Sequence, residues 1–223
     1  MRWLVVAAVL ALVGCSDNST SSTSSGAGGS GAGTSSVGGN AGTGGTMGEG
    51  GLGAGGMGTG GTSSPVIEID TSMGMMAVQL DPERMPITTA NFLTYVDEDY
   101  FASTIIHRVI PDFVIQGGGF TSGLTPKGGA HPPITLETHP ELTHVYGAIS
   151  MARTMDPNSA TSQFFLVNAP NGAHSLDGNY AAFGILIEGS DVLDAISGVP
   201  TQTQGQFMDV PVTEVEVLSI TRR

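Results

Sequence analysis

The polarity of the chain changes character twice. An unbroken apolar run extends from Trp3 to Val13. Gly, Ser, Thr and Ala then dominate from Ser16 to Ser64, where Val37, Met47, Leu52 and Met57 are too scattered to bury one another. From Pro65 onward, apolar positions recur with the spacing of regular structure. Residues 66–70 and 76–80 alternate in polarity about Ser72-Met73-Gly74, which predicts an opening β-hairpin. Pro86, tolerated in a first helical turn, introduces Ile87, Ala90, Phe92, Leu93 and Val96 at helical spacing. Short apolar segments follow at 104–110, 113–116, 148–152, 163–167, 181–187 and 212–220, separated by Gly, Pro and Asn clusters. They predict strands of an antiparallel barrel or sandwich. Ser190 to Ser197 predicts a second short helix, with Ser190 as its cap and Gly198 at its end. The pattern yields two helices and about eight strands, and periodicity does not choose between the two architectures.

The first 64 residues hold nothing that builds a core, so one folded domain of about 160 residues is expected. The run from Trp3 to Val13 is shorter than the roughly 20 residues a spanning helix needs and has the length of a signal-peptide hydrophobic region. It ends in Leu12-Val13-Gly14-Cys15, which resembles the lipobox of bacterial lipoproteins, and Cys15 is the only cysteine in the chain. The expected organisation is a lipoprotein signal peptide at 1–14, a lipidated Cys15 with a disordered tether to residue 64, and a domain at 65–223. A Gly-rich tether of that length has a root-mean-square span of roughly 35–42 Å. Ser16 after the cysteine points to the outer membrane, so the expected location is the bacterial cell envelope, lipid-anchored and facing the periplasm or the cell surface. A lone cysteine excludes intramolecular disulfides and a multi-thiolate metal site. Seven Lys and Arg against twenty Asp and Glu give a net charge of -13, which argues against a nucleic-acid partner.

Two segments carry recognisable chemistry. The first is Ile106-His107-Arg108-Val109-Ile110-Pro111-Asp112-Phe113-Val114-Ile115-Gln116-Gly117-Gly118-Gly119-Phe120. The second is Gly147-Ala148-Ile149-Ser150-Met151-Ala152-Arg153, running on to Ser162-Gln163-Phe164-Phe165. With Leu176-Asp177-Gly178 and Phe183-Gly184 following in order, residues 65 to 223 resemble the cyclophilin-type peptidyl-prolyl cis-trans isomerases. The resemblance implies a mainly β fold, a closed antiparallel eight-stranded β-barrel capped by two α-helices. It also implies a monomer that acts on proline-containing polypeptides without cofactor or metal.

The chemistry can be stated independently of the family. An X-Pro bond faces a rotational barrier of about 18–20 kcal/mol, because twisting removes amide resonance. A catalyst must hold the proline ring in an apolar pocket and favour the twisted amide with a hydrogen bond. Arg108, permanently charged and rich in donors, suits that task, and its matching family position is catalytic. The amides of Gln116 and Gln163 can accept from and donate to an extended peptide backbone, and Gln163, set with Arg108 in the catalytic pair, is expected to orient the guanidinium as well. The resemblance assigns Phe113, Val114, Phe165 and Leu176 to the proline pocket, and Ala152 and Arg153 to main-chain contacts. Tyr180 stands where the family has a pocket histidine, and Ser175 where the best-known eukaryotic members have tryptophan.

Each residue also has a plainer reading. Arg108 alone would be a surface cation, the apolar residues core, and the amides strand polarity. The alternative function is a proline-peptide-binding or chaperone module with weak or no turnover. Other patterns point nowhere. Gly117-Gly118-Gly119 lacks the Lys of a phosphate loop and reads as a tight turn. His107, His131, His139, His144 and His174 lack metal-ligand spacing and read as core or surface. Ser150 lies outside a hydrolase elbow motif.

Overall fold

The computed structural model describes residues 64–223. The expected signal segment, Cys15 and the tether through residue 63 lie outside the described residues. β1 (Val66–Thr71) and β2 (Gly74–Leu80) form the expected hairpin, with Ile67 opposite Val78 and Ile69 opposite Met76. After α1 (Pro86–Asp97), the segment expected as one strand is divided at His107 into β3 (Thr104–Ile106) and β4 (Arg108–Ile110). β5 (Val114–Gly117), β6 (Phe120–Thr121) and β7 (Thr125–Pro126) come next. β8 (Ala148–Met151), β9 (Phe164–Val167) and β10 (Ala182–Glu188) lead to α2 (Ser190–Ser197). β11 (Thr201–Gln204), β12 (Phe207–Pro211) and β13 (Val215–Arg222) end the chain.

Eleven strands form one antiparallel sheet in the order β4-β5-β9-β8-β10-β2-β1-β13-β3-β6-β7, and β11 pairs with β12 apart from it. β4 at one end of that order is the direct continuation of β3 near the other, and His107 between them donates its backbone N–H to Gln116 O at 3.0 Å. The sheet therefore curls until its ends meet in one bent strand. With β3 and β4 taken together, eight members run round the curl, so the expected count describes the curl and not all thirteen strands. The β11–β12 hairpin was not expected, because all four residues of β11 are exposed and show no apolar alternation.

Both helices depart from expectation in detail. The buried face of α1 is Thr88, Thr89, Phe92, Tyr95 and Val96, whereas Ile87 is 48% exposed. Buried threonines are tolerated because their hydroxyls are bonded: Thr88 Oγ1 donates to Glu137 at 2.7 Å and Thr89 Oγ1 to Asp81 O at 3.3 Å. The Glu137 carboxylate also accepts the backbone N–H groups of Ile87 and Thr88 at 3.1 and 2.6 Å, serving the free donors of the first turn. In α2 the residue before the helix is Gly189 and not Ser190. Its φ of 86° is left-handed, and a Cβ there would collide with Met75 O, so only glycine fits. Gly198 closes α2 as expected.

The interior of the curl is filled from both helices. Phe92 of α1 meets Phe101, Phe164 and Phe183 at ring separations of 5.0, 5.5 and 5.2 Å. Leu193 and Ile196 of α2 are fully buried in the same cluster. Among the described residues no helix is long and apolar enough to cross a membrane.

Candidate active site

The β4–β5 turn sets the register on which the site depends. Pro111 presets its own φ, and Asp112 follows at φ 57°, a left-handed conformation that aspartate tolerates better than most residues. Phe113 N–H closes the turn on Ile110 O at 3.2 Å. Arg108 is thereby opposite Gln116, Gln116 opposite Phe165, and Phe165 opposite Ser150. Directly opposed residues of a ladder share a face, so the row Arg108, Gln116, Phe165 and Ser150 crosses four strands on one side of the sheet.

A second apolar cluster lies along this row, distinct from the interior one. Its buried members are Val114, Ala148, Ala152, Phe165, Val167, Ala169 and Ala173, with Phe113, Leu176, Tyr180 and Ile185 half-buried against them. The structure thus brings together the apolar residues singled out in the sequence. Tyr180 meets Phe165 edge-on at 5.8 Å, and the Arg153 guanidinium lies 4.4 Å over the Tyr180 ring. Ser175 is exposed, on the short turn His174–Leu176.

Polar groups fix the row's other end. Gln116, only 5% exposed, donates through Nε2 to Gln163 Oε1 at 3.0 Å. Gln163 O accepts the N–H of Ala152 at 2.9 Å, which ties Ala152 to the same edge. Gly119 makes room for the glutamine: a Cβ there would stand 2.5 Å from Gln163 Cγ. The three-glycine run is therefore a close-packed turn, as its sequence suggested. Among the described residues the Gln163 side chain bonds Gln116, and no hydrogen bond joins it to Arg108. Arg108 instead directs Nε toward Asp209 Oδ2 at 3.5 Å, with its side chain 19% exposed. Among the described residues no hydrogen bond engages its terminal nitrogens. Asp209 sits on β12 at φ 61°. Nothing in the sequence marked it, because the strand that carries it was itself unmarked.

Behind the cluster lies a second feature that sequence reasoning missed. His144 stacks on Phe165 at 5.9 Å with an interplanar angle of 19°. Asp177 Oδ1 accepts from the His144 backbone N–H at 2.7 Å and from its ring Nδ1 at 2.8 Å, while Oδ2 accepts from His174 Nδ1 at 2.8 Å. With its proton on Nδ1, His144 accepts the Ser150 hydroxyl at Nε2, 3.1 Å away. Burial pushes the His144 imidazole below its usual range despite the Asp177 carboxylate, which acts the other way. Burial alone would raise the Asp177 carboxyl, but hydrogen bonds from the His144 backbone, His144 ring and His174 ring outweigh it and hold it below the usual carboxylate range. Ser, His and Asp in this order have the contacts of a hydrolytic triad. Ser150 and His144 are nevertheless 0% exposed, so no substrate carbonyl reaches the hydroxyl. The network is structural: it docks the segment carrying Leu176 and Tyr180 onto the back of Phe165. Ala173 N–H to His144 O at 2.6 Å adds to that docking. His144 and Asp177 are 33 positions apart, which hides the pairing from any local pattern.

The row thus places a permanent cation beside a half-buried apolar cluster, edged by amides and strand backbone. It offers no accessible nucleophile, and among the described residues no group of three or more His, Cys, Asp or Glu is placed to hold a metal. Comparison with known proteins agrees. Residues 66–222 match the family described as cyclophilin type peptidyl-prolyl cis-trans isomerase/CLD. A peptidyl-prolyl cis-trans isomerase of Acinetobacter baylyi is 41% identical over 161 residues, covering 71% of this chain and 85% of that protein. Peptidyl-prolyl cis-trans isomerase B of Escherichia coli is 38% identical over 162 residues, covering 70% of this chain and 98% of that protein. The crystal structure of a Cryptosporidium parvum cyclophilin type isomerase in the presence of the dipeptide Ala-Pro is similar with a TM-score of 0.63. It is 30% identical, and the likeness covers 71% of this chain and 98% of that one. The chain belongs to the cyclophilin-type peptidyl-prolyl cis-trans isomerase family, and its activity is that of a peptidyl-prolyl isomerase.

Proposed function

We propose that the row Arg108, Gln116 and Phe165 is the catalytic groove, and that it isomerises X-Pro bonds in unfolded or extended proteins of the bacterial envelope. The observation that carries this reading is the shared ladder row, which sets a permanent cation beside a half-buried apolar cluster. In the mechanism, Phe113, Val114, Phe165, Leu176 and Tyr180 take the proline ring and exclude water from it. The flanking peptide lies along Gln116, Gln163 and the main chain at Ala152 and Arg153. The terminal nitrogens of Arg108 then donate to the prolyl amide as it twists. Twisting localises the nitrogen lone pair, so a donor aimed there binds the twisted state more tightly than the planar one and lowers the barrier. Asp209 and the Gln116–Gln163 pair restrict the cation and the amides before substrate arrives, which lowers the ordering cost of catalysis.

The location is read from the N-terminus. The lipobox resemblance at Leu12 to Cys15 supports acylation of Cys15. A monomeric domain then acts at the end of its tether, at the outer membrane, on the periplasmic or the cell-surface side. A protease-coupled proline-peptide assay on the purified protein tests the groove: acceleration of cis-to-trans exchange is expected. Saturable peptide binding without exchange would favour a binding or chaperone module instead. Incorporation of a labelled lipid precursor tests the anchor, and labelling that persists in Cys15→Ala would exclude that cysteine.

A further inference from the structure

We propose that Arg153 makes the groove selective for proline sites flanked by an acidic side chain. The inference rests on the groove assignment above and adds the substrate class.

Arg153 differs from the other described arginines in what it is bound to. Arg84 pairs with Asp81 and Glu141, Arg108 with Asp209, Arg222 with Asp97, and Arg223 with Glu68 and Glu188. Lys127 donates to Ala102 O at 2.7 Å and lies over the Tyr100 ring. Arg153 has no carboxylate partner among the described residues. Its Nε donates to Asn179 O at 2.9 Å and its Nη1 to Thr154 O at 2.8 Å, with the guanidinium laid on Tyr180. The nearby carboxylates are otherwise engaged: Asp177 with His144 and His174, and Asp156 with the N–H of Asn158. Among the described residues two cations, Lys127 and Arg153, are thus left without a carboxylate, and Arg153 is the one that stands one ring away from Phe165.

The geometry also makes that charge ready to use. Two carbonyls and an aromatic face already hold the guanidinium, so a carboxylate arriving at Nη2 and the remaining Nη1 hydrogen does not have to order a long flexible side chain. The overall negative charge repels acidic peptides from a distance. That repulsion is screened beyond about 8 Å at physiological ionic strength, so the local cation decides discrimination at the rim. Arg108 is a poorer candidate for this role because Asp209 already faces it.

Matched proline peptides carrying Glu, Gln or Lys at the positions flanking X-Pro test the proposal on the full chain. Both kcat/KM and the dissociation constant from NMR titration are read. Glu should exceed Gln by about two- to fivefold at one or more flanking positions, the scale of an ion pair at a water-exposed rim, and Lys should rank last. The Glu/Gln ratio should fall toward one in roughly 0.5 M salt. In Arg153→Gln the ratio should be lost, in Arg153→Lys partly kept, and in Arg153→Glu inverted in favour of the Lys peptide. Because each ratio is internal to one protein preparation, a general loss of activity in a variant does not disturb it. A wild-type ratio of one, a preference for Lys, or a ratio that survives in Arg153→Gln would overturn the proposal. Absence of exchange with every peptide would instead overturn the groove's catalytic role, and the binding ratios would still decide on Arg153.

Discussion

The molecule has two apolar clusters built on opposite terms. The interior one is closed: Phe92, Phe164, Phe183, Ile69 and Val78 are at most 1% exposed and belong to one buried cluster. The cluster along the Arg108 row is open: Phe113, Leu176 and Tyr180 are half-buried, and polar networks hold it from behind and from the side. Apolar surface left facing water costs stability unless something uses it, and a groove for a proline ring is such a use. The interior cluster accounts for the fold, and the outer one is where the proposed groove lies.

That division makes predictions that can break it. Phe92→Ala should cost about 3–5 kcal/mol in urea unfolding, because a large cavity opens between three aromatic rings. Phe113→Ala should cost far less stability yet lower kcat/KM clearly. Equal losses of stability in the two variants would remove the distinction. Arg108→Ala should lower kcat/KM by about 10²–10³-fold, on the scale of removing one transition-state donor, with the unfolding midpoint nearly unchanged. Full activity in that variant would take Arg108 out of the mechanism.

Acid should act on the bend that joins the two regions. Burial, helped by the neighbouring Arg108, lowers the His107 imidazole to about 4 from its ordinary 6.5. The unfolded chain therefore takes up this proton first as pH falls from 6.5 toward 4. Stability from the neutral imidazole is fully present above that window and lost within it, by on the order of 3 kcal/mol. Urea unfolding across pH 7 to 4 should show the decline, and His107→Gln should flatten it. A smaller effect is expected at the polar support. His144→Asn should destabilise by about 1–3 kcal/mol through the lost ring contacts to Asp177 and Ser150, and should raise KM more than it lowers kcat as Leu176 and Tyr180 loosen. An unchanged KM would show that the pocket does not depend on this network.

Much of this was readable along the chain because it is local. The β1–β2 hairpin follows from alternation about a short turn, and α1 from a first-turn proline with apolar spacing. Most of the expected site residues fall in two segments, and these with Leu176-Asp177-Gly178 and Phe183-Gly184 following in order carry the family resemblance. What stayed hidden depends on contacts between distant segments. Thr88 and Thr89 face inward because Glu137 and the Asp81 carbonyl bond their hydroxyls. Asp209 reaches Arg108 from β12, whose partner β11 is wholly exposed and shows no apolar alternation. His144 reaches Asp177 across 33 positions.

The sequence by itself determined the two helices, the opening hairpin and most strands of the curl, the family, the expected lipid attachment and the residue types that a proline groove requires. Their spacing along the backbone is set by periodicity and turn chemistry, which operate over a few residues. Only the tertiary structure decided which partners those residues take: Asp209 rather than Gln163 for Arg108, His144 behind Phe165, and no carboxylate for Arg153 among the described residues. Such pairings depend on how the sheet curls and where the β11–β12 hairpin lies, and short-range pattern does not encode them.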